Sequence, residues 1–234
     1  MRLADLRTLP PFSKDPKGTD MKKYITIAAA TLGATPALAH HPMAGQPMDT
    51  FVQGLLSGVG HPVLGFDHLF FVIAMGVAAL FTTRRLMAPA AYVAAMLAGC
   101  GLMYAGIAMP VKEAMIAVSL LAVGGIVLSG RSLGAGTAVA LFAAFGLFHG
   151  SAFGDSIAAQ EGGVSAAVLS GYLIGLGVIQ YAIAIAAGWA AEKLLGATEA
   201  ASVNARLVGA MVAGVGVFLC LEIAEGPLMG MIAG

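Results

Sequence analysis

His61, Asp67 and His68 set two imidazoles and a carboxylate at the head of the first long apolar run, in a chain with only five histidines. Ionisable groups where hydrocarbon begins are costly to hold, so by default they mark a function. Imidazole nitrogen and carboxylate oxygen without thiolate form a donor set for Ni2+, Co2+ or Zn2+. Their spacing imposes a condition. On an unbroken helix, positions seven apart share a face but stand about 10.5 Å apart along the axis, too far for one ion. Either Pro62 and Gly65 break the backbone, or the two rings act in succession. Asp67 and His68 are adjacent and diverge by about 100° on a helix. One of the two can then orient a ligand by hydrogen bonding instead of touching metal.

The elements that must carry these groups are membrane helices. The 234 residues are 59% hydrophobic and 10% charged, with mean hydropathy +0.90, where soluble domains carry about 25% charged residues. The fold class expected is therefore all-α, a polytopic bundle of six transmembrane helices behind a cleavable signal peptide. A formal net charge of zero, with no basic cluster, argues against a nucleic-acid partner; membrane lipid and a divalent metal ion are the partners expected. Cys100 and Cys220 both fall in apolar runs, which suits buried thiols better than a disulfide framework.

Residues 1–20 are polar and without period. Lys22-Lys23, the apolar stretch from Tyr24 to Gly33 and Ala37-Leu38-Ala39 then read as the parts of a secretory signal peptide, 21–39. A natural start at Met21 would make 1–20 an upstream extension. Cleavage after Ala39 exposes His40-His41-Pro42, and a terminal amine beside two imidazoles can chelate a divalent metal. Residues 40–65 form a periplasmic N-terminal segment in which Phe51 to Gly60 suit a short interfacial helix, and 66–234 form the transmembrane domain. Spans are expected at about 66–83, 86–108, 112–129, 133–150, 165–190 and 205–224. Short loops favour antiparallel neighbours, and the glycine faces at Gly146, Gly150, Gly154 and at Gly171, Gly175 make spans four and five the expected closest pair.

With the mature N-terminus outside, Arg84, Arg85, Arg131, Lys193 and Arg206 fall in cytoplasmic loops and only Lys112 outside. The positive-inside rule is satisfied, giving an inner-membrane protein with both termini periplasmic. His61, Asp67, His68, Glu113, His149 and Asp155 then share one depth near the outer face, as a cation entry site requires. His149 is expected to end span four, with Asp155 and Glu161 in the loop after it. Each residue has a plainer role open to it: His61 as a helix-start cap, Glu113 as a first-turn acid favoured by the helix dipole, Asp155 as a solvated charge. Tyr172 and Gln180 in span five suit hydrogen bonding across the bundle.

The chain resembles the HupE/UreJ family of nickel and cobalt permeases. The family element H-x5-D-H at the first span is matched in full by His61, Asp67 and His68. A second element, F-H-G-x-A-H-G-x-E, resembles Phe148-His149-Gly150-Ser151-Ala152-Phe153-Gly154-Asp155-Ser156; its second histidine is replaced by Phe153 and its acid by Ser156, with Asp155 one residue earlier. The resemblance implies a non-enzymatic permease that carries Ni2+ or Co2+ as cargo, without a tightly bound cofactor. No ATP-binding P-loop is present in the sequence, so transport would be secondary. Two other classes stay open: an intramembrane zinc hydrolase using the histidines and Ser119, and a non-catalytic subunit or metal-chaperone partner. Metalloenzyme-maturation partners and a homo-oligomer are compatible with either transport or delivery.

Overall fold

The structure, a computed structural model, describes residues 48–160 and 163–233. The signal-peptide segment, His40, His41 and Glu161 lie outside the described residues. Among the described residues seven helices follow in order: α1 Phe51–Leu64, α2 Phe66–Leu80, α3 Met87–Tyr104, α4 Lys112–Ser129, α5 Ala135–Ala158, α6 Ala166–Lys193 and α7 Val203–Ala233. No strand occurs among the described residues. Helices α3 to α7 are each long and apolar enough to cross a membrane. The first crossing is different. Helix α2 has 15 residues, about 22 Å, short of the roughly 30 Å of hydrocarbon. It qualifies only together with α1, from which it is bent by 78°.

The local sequence explains that break. Thr50 and Gln53 form a capping box that starts α1: Gln53 N–H donates to Thr50 Oγ1 at 3.2 Å, and Thr50 N–H to Gln53 Oε1 at 2.9 Å. Pro62, with no N–H to give, sits in the last turn, and Gly65 follows in an extended conformation (φ −81°, ψ 97°) that ends α1 and starts α2. The segment read as interfacial is in fact part of the bundle. Gly54, Ser57, Gly58, His61 and Pro62 are buried.

Glycines set which helices meet. A Cβ at Gly54 or Gly58 would strike the backbone of Val168 or Tyr172, and one at Gly171 or Gly175 would strike Phe51 or Leu55. The register advances in step along both helices, so α1 lies parallel to α6. Gly146, Gly150 and Gly154 likewise receive Tyr92, Met96, Cys100 and Met103 of α3, again in parallel. Gly124, Gly209 and Gly216 bring α4 and α7 together antiparallel. The small faces are therefore where the sequence puts them, but their partners are not. The α5 face takes α3 and the α6 face takes α1, so the expected pairing of spans four and five is corrected. Helix α2 threads between these pairs, with Gly76 against Ala184 of α6 and nine of its residues buried, Phe71, Ala74 and Met75 among them.

Because Gly150 meets the Met96 carbonyl, Gly150→Ala forces two packed helices apart. We expect a loss of about 1–3 kcal/mol, read as a thermal midpoint several degrees lower in detergent. A midpoint equal to wild type would contradict the α3–α5 contact.

The helix ends sort the charges. Arg85 pairs with Glu192 at 3.7 Å and Arg206 Nε donates to the Leu128 carbonyl at 2.9 Å. These contacts gather the ends of α2, α4 and α6 with the start of α7, so Arg84, Arg85, Arg131, Lys193 and Arg206 belong to one end of the bundle. Asp67, Glu113 and Asp155 lie at the other.

Candidate functional site

At that acidic end a cavity of about 300 Å³ is lined by His61, Asp67, His68, Glu113, Asp155 and Ser156, with Ala152 and Ala159. Four helices supply them. His61 comes from the last turn of α1, Asp67 and His68 from the first turn of α2, and Glu113 from the first turn of α4. Asp155 and Ser156 come from the last turns of α5. The bend at Gly65 answers the spacing problem. It brings the His61 and His68 ring centres to 6.0 Å. Two rings bound to one ion through nitrogens about 2.1 Å from it have centres at most about 6.4 Å apart. The separation is thus compatible with a shared ion.

His149 is not at the end of its helix. Helix α5 runs on to Ala158, so His149 lies fully buried inside the bundle and Asp155 sits on the helix instead of in a loop. Gly150 and Gly154, inside the longer helix, serve the contact with α3. His149 stands behind His68: the two Nδ1 atoms are 2.8 Å apart, and His149 Nε2 is 2.9 Å from Ser119 Oγ. Both nitrogens of His149 are therefore engaged by other side chains, and it does not line the cavity.

The other donors are held in distinct ways. His61 Nδ1 lies 3.0 Å from the Tyr172 hydroxyl and 3.1 Å from Ser156 Oγ. His68 Nε2 lies 3.8 Å from Asp67 Oδ2. Asp155 is bonded by Lys112 Nζ at 2.6 Å, so its charge is balanced at the rim. Phe153 packs against both rings from one side, 4.1 Å from the His68 centre and 4.9 Å from that of His61. Among the described residues, no three His, Cys, Asp or Glu side chains already converge to hold one ion. The donors line a common space without closing on a point.

Beneath them, Tyr92 donates to Gln180 Oε1 at 2.7 Å and Gln180 Nε2 donates to the Leu176 carbonyl at 3.3 Å. Tyr172 donates to the Phe153 carbonyl at 2.9 Å. Gln180 and Tyr172 are thus the cross-bundle hydrogen bonders that the sequence suggests. Tyr92 and the orienting use of Ser119 were not legible, since a lone hydroxyl in an apolar run carries no signal of what it faces.

A profile of the HupE / UreJ protein family matches residues 28–219, most of the chain. The chain belongs to that family. It is 28% identical over 193 residues to Protein HupE of Rhizobium leguminosarum bv. viciae, covering 79% of this chain and 97% of that protein. No solved structure matches it. Membership in the HupE / UreJ family supports metal transport in broad terms. Phe153, where the sequence resemblance sets a histidine, packs against both imidazoles of the first element.

Proposed function

We propose that this chain is a secondary permease for a divalent transition metal, Ni2+ or Co2+, with Zn2+ as a weaker candidate, and that the acidic-end cavity captures the ion. One observation carries the reading. A broken first span sets two imidazoles 6.0 Å apart in a cavity whose other ionisable lining groups are all carboxylates. Acids draw a hydrated cation in, and imidazoles then replace part of its water shell. Asp67, Glu113 and Asp155 line the same space and would supply carboxylate oxygens to the ion. The orientation follows from the basic end of the bundle: that end is cytoplasmic, so the cavity opens to the periplasm of an inner-membrane protein.

A zinc hydrolase has less support, because Ser119 spends its proton on the Ile116 carbonyl at 2.6 Å and lies outside the cavity lining. The test is uptake. Cells lacking their own nickel and cobalt importers should accumulate radioactive nickel when they produce this chain, and excess Co2+ should compete. Accumulation of Ni2+, Co2+ and Zn2+ no higher than in vector controls would sink the proposal.

A further inference from the structure

The hydroxyl groups behind the two imidazoles determine where their protons lie. Ser119 has one hydroxyl proton, and it goes to the Ile116 carbonyl at 2.6 Å, since a carbonyl can only accept. Toward His149 Nε2, 2.9 Å away, Ser119 must then act as acceptor, so the proton of that bond is on Nε2. A fully buried imidazole whose side-chain hydrogen-bond partners are a serine and another imidazole is neutral, because an unbalanced charge there is too costly. Its Nδ1 therefore carries a lone pair and accepts from His68 Nδ1–H across 2.8 Å. His68 is left with its lone pair on Nε2, the nitrogen on the side of Asp67 and the cavity.

The same logic holds at His61. The Tyr172 phenol donates its proton to the Phe153 carbonyl, so at 3.0 Å it accepts from His61 Nδ1–H, with Ser156 Oγ, 3.1 Å from the same nitrogen, sharing that proton as a second acceptor. His61 also carries its lone pair on Nε2. Two separate hydroxyl chains, one from α4 and one from α6, thus impose one tautomer on both cavity histidines. That tautomer is the one able to bind metal through Nε2.

We infer that Ser119 and Tyr172 are positioning residues: each fixes which nitrogen of a cavity imidazole is available to the ion, Ser119 acting on His68 through His149. This inference rests on the capture reading above. Removing the Ser119 hydroxyl leaves His149 Nε2–H without its acceptor. The relaxed arrangement moves the proton to His149 Nδ1, reverses the inter-ring hydrogen bond and puts an N–H on His68 Nε2, where the ion should bind.

The test uses the full chain in lipid nanodiscs with ring-nitrogen-labelled histidine. Nitrogen NMR of wild type should report the proton on Nε2 of His149 and on Nδ1 of His68 and His61. Ser119→Ala should reverse His149 and His68 and weaken Ni2+ binding about 10–100-fold by calorimetry; Ser119→Thr, which keeps the hydroxyl, should restore both. Tyr172→Phe should disturb only the His61 signal and weaken binding to a similar degree, so a poorly folded Ser119→Ala does not decide the matter. Wild-type affinity and unchanged tautomers in folded Ser119→Ala and Tyr172→Phe overturn the positioning role and leave capture standing. A wild-type protein that binds none of Ni2+, Co2+ and Zn2+ overturns both, so the two failures are told apart by which protein fails.

Discussion

His68→Ala reduces nickel uptake to the level of cells without the protein, and lowers affinity in the purified chain by roughly 100-fold or more. The size of the effect follows from position. His68 both lines the cavity and bonds the buried His149. Its loss takes an imidazole from the cavity, and it also leaves His149 Nδ1 without the donor it accepts from. An unsatisfied buried group costs about 1–3 kcal/mol, which lowers the thermal midpoint without unfolding the bundle. Uptake and midpoint should therefore be measured together. A folded His68→Ala that transports nickel as wild type does removes the cavity from the transport path.

Phe153→His strengthens metal binding. The Phe153 ring is fully buried and lies against both His68 and His61, so an imidazole in its place is within reach of the same ion. Nitrogen in place of an apolar edge adds a third imidazole donor to the cavity. We expect on the order of tenfold tighter Ni2+ binding, about 1.4 kcal/mol, after the lost aromatic packing is offset. The expected signature is a lower Kd at unchanged stoichiometry. Equal or weaker binding by a folded variant would mean that position 153 does not face the ion. The wild-type phenylalanine then makes a physical distinction: a site with two imidazoles holds its cargo more loosely than one with three, and releases it more readily.

Much of this arrangement can be read from the chain itself. Hydropathy places crossings at about 86–108 and 112–129, where α3 and α4 lie, because an apolar run of that length has no other stable use. The break at Gly65 follows from demanding that His61 and His68 cooperate, with Pro62 and Gly65 at hand to allow it. Other parts are not written locally. Hydropathy ends the fourth crossing near 150, but the helix runs on to Ala158, its Gly150 and Gly154 pressed against α3. A glycine face says that another backbone comes close, and is silent on which one. The role of His149 was hidden for the same reason. Its burial depends on how far α5 extends, and its two hydrogen bonds come from α2 and α4, 81 and 30 residues away in sequence.

The most direct measurement is X-ray absorption at the nickel edge of the purified full chain loaded with one equivalent of Ni2+. Capture by His61, His68 and the flanking carboxylates predicts a first shell of nitrogen and oxygen with the multiple scattering of two imidazoles, reduced to one in His61→Ala. A sulfur shell from methionine or cysteine, or a spectrum of hexaaqua nickel free in solution, would contradict it.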